Sequence, residues 1–432
     1  MSRLLGCIAD DFTGATDLAS MLVRRGMRTV LVIGLPEQPI DISDAQAIVV
    51  ALKTRTISAQ EAVNQSLDAL DWLRKQGVRQ ILFKYCSTFD STDAGNIGQV
   101  SEALLGALGD DFTIACPALP EHRRTVYQGH LFVGEQLLSE SSMRHHPLTP
   151  MTDSNLIAVL GRQCRGRVGL LPFDIVDQGA DAIREAIIRL RAAGVRHAVA
   201  DAVNNDHLIS LGHAAEDLRL ITGGSGIALG LPDNFRDSGL LGQSTKADRM
   251  PLIEGQAAIL AGSCSNATLG QIENFRASGY PAHRIDVRAL CQGRNEVSRA
   301  LSWARSQLGA RPILISASGS QMEVAEIQRS FGREKAGALV EEAMAAIGRG
   351  LHREGVRRFV LAGGETAGAV VNALKVSGLK IGPTIDPGVP WTASLGENPL
   401  ALALKSGNFG TVDFFTKAFS KLDDLYQDEF YQ

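Results

Sequence analysis

The chain has 432 residues, 45% hydrophobic and 21% charged, with a formal net charge of −4. That length exceeds one ordinary domain of about 100–200 residues, and the composition is that of a globular protein with ample core. Without a dense Lys/Arg run there is no electrostatic case for nucleic acid or an anionic membrane as partner, so an anionic small molecule has to be met by local cations and backbone amides.

The recurring unit is a short apolar strand, a loop of Gly, Asp, Ser or Thr, and a helix of 3.6-residue period. The first strand is predicted over Leu4–Ala9 and meets Asp10-Asp11 too early for a secretory leader. A helix over Asp17–Arg25 follows, then a strand at Gln80–Tyr85 and a helix at Ile97–Leu108. Thr113–Pro117, Val168–Pro172 and His197–Ala202 read as strands, with a helix at Ala180–Ala193. Across Leu241–Gly255 the pattern gives way to polar, Gly- and Pro-containing sequence, and a fresh strand begins at Ala257. The second half continues with helices Thr268–Ala277 and Glu296–Leu308, strand Pro312–Ser316, helix Glu334–Arg349 and strand Arg358–Ala362. Leu379–Ile385 and Leu402–Lys405 are the final predicted strands. Such alternation predicts an α/β protein of two domains, residues 1–245 and 255–432, each a largely parallel sheet flanked by helices.

In parallel sheets of this kind, ligands sit beyond the carboxyl ends of strands, where helix N-termini offer free N–H groups. The stretch from Asp10 to Asp17 leaves an apolar strand with two adjacent carboxylates. One of them can bind a substrate hydroxyl or accept its proton, although capping by Thr16 or Asp17 also accounts for the stretch. Successive side chains diverge, so at most one of Asp10 and Asp11 faces a ligand. The loop from Lys84 to Asn96 crowds hydroxyls and acids behind a cation that can pair with a substrate carboxylate. Its alternative reading is a run of Asx and Ser/Thr turns with Asn96 as N-cap. Arg55, after the apolar run Ala47–Ala51, can grip a carboxylate with both prongs or stand as a surface arginine.

Thr222-Gly223-Gly224-Ser225-Gly226 is glycine-rich but lacks G-x-G-x-x-G spacing, and the P-loop pattern is absent, so a tight turn explains it equally well. Three loops of the second half stand out: Gly262–Asn266, Ala362–Gly368 and Lys405–Gly410. Glycines let backbone amides approach phosphates, and three such loops together point to a nucleotide. Glu365 can hold a metal-bound water or a ribose hydroxyl. His145-His146 lacks a third ligand at metal-like spacing, and no residue is assigned as a metal ligand. A G-x-S-x-G elbow is missing. Trp391 reads as packing or as a platform for a base. Cys7, Cys86, Cys116, Cys164, Cys264 and Cys291 form no C-x-x-C pair, which fits reduced thiols in a cytoplasmic protein.

Taken in order, IADDFTGATD (8–17), FKYCSTFDST (83–92), CPALP (116–120), GHLFVGEQLLSES (129–141), TGGSG (222–226), GSCS (262–265), GGET (363–366), DPGVPW (386–391) and LALKSGNFG (402–410) resemble the four-carbon acid sugar kinases over nearly the whole chain. The resemblance implies an N-terminal acid-sugar domain, a C-terminal nucleotide domain, ATP with Mg²⁺, and phosphorylation of a terminal (4-) hydroxyl. Carried over, Asp10, Asp11, Arg55, Lys84, Tyr85, Cys86, Ser87 and Asp90 would bind the acid sugar, with Asp10 or Asp11 as the catalytic carboxylate. Ser263, Ser265, Gly363, Gly364, Glu365, Thr366, Gly407, Asn408 and Gly410 would bind ATP. Threonate and erythronate kinases tend to carry Lys-Thr-Asp-Ser-Thr where this chain has Lys84-Tyr85-Cys86-Ser87-Thr88, which favours a 3-oxo-tetronate. The competing readings are a threonate- or erythronate-type kinase and a non-catalytic sensor of acid sugar and nucleotide. A dehydrogenase is disfavoured by the missing dinucleotide fingerprint. Self-association of identical chains is left open.

Overall fold

A computed structural model describes residues 3–146, 148–242 and 246–430. It divides into two compact units, Met1–Asp248 and Arg249–Gln432. Gln243, Ser244 and Thr245 of the expected linker lie outside the described residues. Both units are α/β, with strands and helices alternating along the chain.

The first unit contains β1 (Leu5–Ala9), β2 (Thr29–Ile33), β3 (Ala47–Ala51), β4 (Gln80–Lys84) and β5 (Thr113–Cys116). A separate three-stranded antiparallel sheet follows: β6 (Arg124–Tyr127), β7 (His130–Val133) and β8 (Gln136–Leu137). Then come β9 (Arg167–Leu171), β10 (Val195–Ala200) and β11 (Leu220–Gly223). The main sheet of this unit runs β2-β3-β1-β4-β11-β5-β10-β9. All its pairings are parallel, as the near-continuous apolar runs dictate for strands buried on both faces. From β1 the chain moves outward to β2, returns through β3 and then passes to β4 on the other side. The strand order therefore reverses at β1, where open parallel sheets form a crevice at their carboxyl ends.

The second unit contains β12 (Gln256–Ala261), β13 (Ala282–Arg284), β14 (Ile313–Ser316), β15 (Val356–Ala362), β16 (Gly378–Asp386), β17 (Val389–Ser394) and β18 (Ala401–Lys405), in the order β13-β14-β12-β15-β18-β17-β16. Pairings from β13 through β18 are parallel, and β17 is antiparallel to both β18 and β16. The order reverses at β12. Trp391 on β17 is fully buried among Phe275, Phe414 and Phe419, and its Nε1 donates to Ala418 O at 2.8 Å. It is therefore a core residue and offers no face to a base. No described helix is long and apolar enough to cross a membrane.

Candidate active site

In the first unit, adjacent parallel strands β3, β1 and β4 end level with one another, pairing Ala51 with Ala9 and Ala9 with Lys84. Three charged segments leave these ends together. The helix Phe12–Arg24 begins directly after β1, capped by Asp11, whose Oδ2 accepts from Gly14 N at 3.1 Å. The predicted start at Asp17 was five residues late, because Asp11 itself is the cap. Asp17 is instead buried, and Ser225 Oγ donates to its Oδ2. That bond fixes the glycine-rich turn after β11, where Gly223, Gly224 and Gly226 lie against the carbonyls of Cys116, Pro117 and Ala118. The turn is structural.

Arg55 engages Asp10 with two prongs, Nε to Oδ2 at 2.9 Å and Nη2 to Oδ1 at 2.8 Å, and Nη2 also reaches Asp11 Oδ1. Lys84 Nζ lies 3.3 Å from the same Asp11 oxygen. Gly14 makes room for it, since a Cβ there would fall 1.6 Å from the ammonium nitrogen. Asp90 Oδ2 stands 3.9 Å from Arg55 Nη1, and its other oxygen accepts from Thr88 Oγ1. The side chain of Asp11 is 26% exposed against 7% for Asp10, so Asp11 is the one within reach of a ligand.

The electrostatics separate the two acids. Burial pushes the Asp10 carboxyl up from its ordinary value, against the pull of Arg55. Burial acts on Asp11 in the same sense, but Lys84, Arg55 and the Gly14 N–H outweigh it and hold that carboxyl below the usual range. Burial works against the charge of Arg55 and Lys84 too, and the neighbouring carboxylates overcome it, so both stay cationic. Cys86 is pushed up to about 11 by burial and stands as a neutral thiol, 3.0 Å from Thr88 Oγ1.

Asp10, Asp11, Arg55, Lys84, Cys86 and Asp90 are thus brought together, with Ser87 half-buried on the same loop. Two expectations change. Tyr85 was expected at the substrate, yet it is fully buried, its hydroxyl 3.2 Å from Thr222 Oγ1 and its ring edge-on to Phe83 and Phe89. Alternation along an extended chain turns it away from the side Lys84 and Cys86 share, so it supports the loop from below. Arg55 was read either as a two-pronged grip on a substrate carboxylate or as a surface arginine, and the carboxylate it grips with both prongs is that of Asp10, with Asp11 beside it. Sequence reading also assigned Asn96 no role beyond capping. Gly95 is the N-cap, and the Asn96 amide donates to the carbonyls of Thr54, Arg55 and Ile57, tying the Arg55 segment to the Lys84 loop.

In the second unit the carboxyl ends of adjacent strands β12, β15 and β18 bring the three glycine loops together. Gly262 N donates to Ala362 O at 3.0 Å, and Gly363 N donates to Lys405 O at 2.9 Å. Ser265 caps the helix Asn266–Ala277 through Thr268 N, while its hydroxyl and that of Thr268 both donate to Gly407 O. Ser263 Oγ donates to Ser265 Oγ at 3.2 Å. Gly363 has φ 118° and packs so closely on Ser263 that a Cβ would lie 3.0 Å from its backbone nitrogen. The helix Gly364–Ala373 starts there with no side-chain cap, and Gly364 and Glu365 are exposed at its N-terminus, an arrangement suited to an anion. Thr366 is buried, and Asn408 is exposed on the last loop.

Beneath that loop lies a residue given no role from sequence. Lys405 is 1% exposed, and its Nζ donates to Thr268 Oγ1, Ser406 O and Gly407 O. Burial lowers it to about 8. A cavity of about 270 Å³ adjoins the loops, reaching from Gly262, Cys264, Glu365 and Thr366 to apolar walls that include Ala317 and Val340.

Comparison with known proteins fits this division. The model of a sugar-binding N-terminal domain matches residues 5–231, and that of a nucleotide-binding C-terminal domain matches residues 258–415. The chain is 59% identical to a Cupriavidus necator protein named 3-oxo-tetronate kinase, covering 97% of both chains. It is 47% identical to a protein of the same name from Pectobacterium atrosepticum, covering 96% of this chain and 98% of that one. A solved structure from Salmonella typhimurium LT2 aligns with a TM-score of 0.88 and 45% identity, covering 96% of this chain and 98% of the other. One from Haemophilus influenzae aligns at 0.82 and 42% identity, covering 96% and 100%. The chain belongs to the four-carbon acid sugar kinase family, in the group whose curated members are named 3-oxo-tetronate kinase.

Proposed function

We propose that this chain is an ATP-dependent kinase that phosphorylates the terminal (4-) hydroxyl of 3-oxo-tetronate. The observation that carries the reading is the Asp10–Arg55–Asp11–Lys84 cluster at the strand-order reversal of the first unit. Phosphoryl transfer demands positioning and charge neutralisation more than covalent chemistry. Asp11, the more accessible of the two acids, orients the hydroxyl. Asp10 fixes the Arg55 guanidinium through Nε and Nη2, so that its Nη1 edge, with the Lys84 ammonium, meets the substrate carboxylate. Cys86 suits a 3-oxo group: a carbonyl oxygen has no hydrogen to give a carboxylate, and a neutral thiol does not repel it. Ser87 and Asp90 serve the remaining hydroxyls.

In the second unit the cavity, with apolar walls and a charged rim, is of a size and character for a nucleoside base, with Ser263, Ser265, Gly363, Gly364, Thr366, Gly407, Asn408 and Gly410 arranged for phosphates. Mg²⁺ would enter with the ATP phosphates, whose charge it neutralises. Glu365 supplies the one carboxylate on these three loops, the hard oxygen donor such an ion prefers. Free cysteines and the ATP requirement support a cytoplasmic location. The test is a panel of tetronates and 3-oxo-tetronates with ATP and Mg²⁺, the product phosphate being located by ³¹P and ¹³C NMR. ADP release dependent on a 3-oxo-tetronate, with phosphate on C4, is expected. ADP release equal with and without acid sugar would overturn the reading.

A further inference from the structure

Away from both loop clusters, three potential metal ligands of different chemistry meet inside the first unit. Glu102 projects from the helix Asn96–Leu108, Cys164 follows the helix Leu156–Gln163, and His197 lies in β10. One donor atom from each falls within 4.8 Å of the others, the one such group of His, Cys, Asp or Glu among the described residues. His197 is 0% exposed and neither ring nitrogen has a hydrogen-bond partner. Its Nε2 points at Glu102 Oε1 across 3.9 Å, too far for a hydrogen bond. Buried imidazoles are ordinarily satisfied, so a ring aimed at a carboxylate and a thiol without bonding either calls for a partner.

The surroundings are built to hold these side chains in place. Glu102 Oε1, the oxygen that faces His197, accepts from Arg165 N at 3.0 Å and Gly166 N at 2.7 Å, which fixes the carboxylate in place. One helical turn before Glu102, on the same face, stands Gly98. A Cβ there would come within 2.8 Å of Cys164 Sγ, so the glycine lets the sulfur approach that face. Glu102 is 21% exposed at its side chain, which leaves an opening to solvent.

We propose that Glu102, Cys164 and His197 bind a divalent ion of the zinc class, with water as fourth ligand. One thiolate, one imidazole and one carboxylate suit a borderline-soft tetrahedral ion and not Mg²⁺ or Ca²⁺, which prefer oxygen alone. Bonds of about 2.0–2.3 Å need donor separations of roughly 3.3–3.8 Å, so a side-chain adjustment of about 1 Å closes the site. Binding forms the metal–sulfur bond as the Cys164 S–H proton leaves to solvent, while His197 coordinates as neutral imidazole. The ion would cross-link a helix, a strand and the residue beside Gln163. Gln163 Nε2 in turn donates to Ser91 Oγ and Thr92 O, within the Lys84–Asn96 loop. The role is therefore structural.

The full chain, dialysed against chelator and free of nucleotide, is titrated with Zn²⁺ by calorimetry and with Co²⁺ by absorption. One ion per chain, a thiolate-to-cobalt charge-transfer band and a Zn²⁺-dependent rise in Tm are expected. Cys164→Ser should abolish the band, and His197→Gln should weaken binding by more than about 100-fold. Glu102→Gln, which keeps the side-chain volume, should weaken it at least about tenfold even if the other variants fold poorly. Cys291→Ser, in the second unit, should retain the band and the stoichiometry. Failure of the wild-type chain to bind stoichiometrically, or an unchanged cobalt spectrum in Cys164→Ser, would overturn the proposal.

Discussion

Arg55 holds both carboxylate oxygens of Asp10 in a two-pronged pair, at 2.9 and 2.8 Å, and the pair divides the labour between two adjacent acids. Asp10 is committed to the guanidinium, while Asp11 is about a quarter exposed with its charge fixed by Lys84 and Arg55. The consequences of removing each differ. Asp11→Asn should lower kcat by about 10²–10⁴, the range for losing a positioned acid–base group, and cost about 1–2 kcal/mol of stability because buried Lys84 loses its nearest carboxylate. Asp10→Asn leaves Arg55 with half its counter-charge and should cost about 1–3 kcal/mol of stability as well as activity. Urea unfolding beside steady-state kinetics separates the two, and equal kcat losses with equal stabilities would show that the acids are interchangeable.

Cys86 provides a test of acceptor choice. A carboxylate at that position would accept from a 3-hydroxyl and repel a 3-oxo oxygen. Cys86→Asp should therefore reduce kcat/KM for 3-oxo-tetronate and raise it for threonate or erythronate, shifting their ratio by about 100-fold or more, as expected where a buried polar group gains or loses its partner. Measuring kcat/KM for both acid classes decides it, and an unchanged ratio would remove Cys86 from the specificity site.

How much of this was readable from the chain depended on range. Strand-end loops were legible because an apolar run followed by Asp-Asp, Lys or Gly-Gly is a local signal, and those loops supply most of the cluster. Tyr85 was misplaced because adjacency to Lys84 and Cys86 concealed the alternation that sends it into the core against Phe83 and Phe89. Asn96 escaped because its three carbonyl partners lie about 40 positions earlier in the chain, at Thr54, Arg55 and Ile57. The antiparallel strand around Trp391 was hidden by Pro390, which argues against a strand interior by sequence rules. Glu102, Cys164 and His197 have no mutual spacing to read at all.

Lys405 should give the ATP site a pH dependence. Its folded value of about 8 lies below the ordinary lysine value of 10.5, so between those pH values the unfolded chain binds more protons than the folded one. Folding stability therefore rises with pH across that window, and below about 8 the buried ammonium costs the fold roughly 3 kcal/mol as an order of magnitude. Lys405→Met should be at least as stable as wild type at pH 7 and lose that advantage by pH 10. Gly407 O keeps its bonds from Ser265 and Thr268, so the loop survives the change. The charge is what ATP loses: KM for ATP should rise in wild type as pH passes about 8 and stay high and flat in Lys405→Met. A KM profile identical in the two proteins would mean that the ammonium does not contribute to binding phosphate.

The cavity beside Gly262 and Thr366 makes the sharpest separation between the two substrates. Ala317 forms part of its wall and is 6% exposed, so a larger side chain there has nowhere to go but the cavity. Ala317→Phe adds a ring to a space of about 270 Å³. If a nucleoside base occupies that space, KM for ATP should rise by at least about tenfold, since filling a pocket forfeits most of the area a bound ligand would bury. The Asp10–Arg55–Lys84 cluster belongs to the other compact unit and shares no residue with the cavity wall, so KM for the acid sugar should stay within about twofold. Overpacking could lower stability by about 1–3 kcal/mol, which a urea titration of the variant measures independently. A folded Ala317→Phe protein with an unaltered KM for ATP would mean that the base binds elsewhere in the second unit, and the cavity would then have no part in nucleotide recognition.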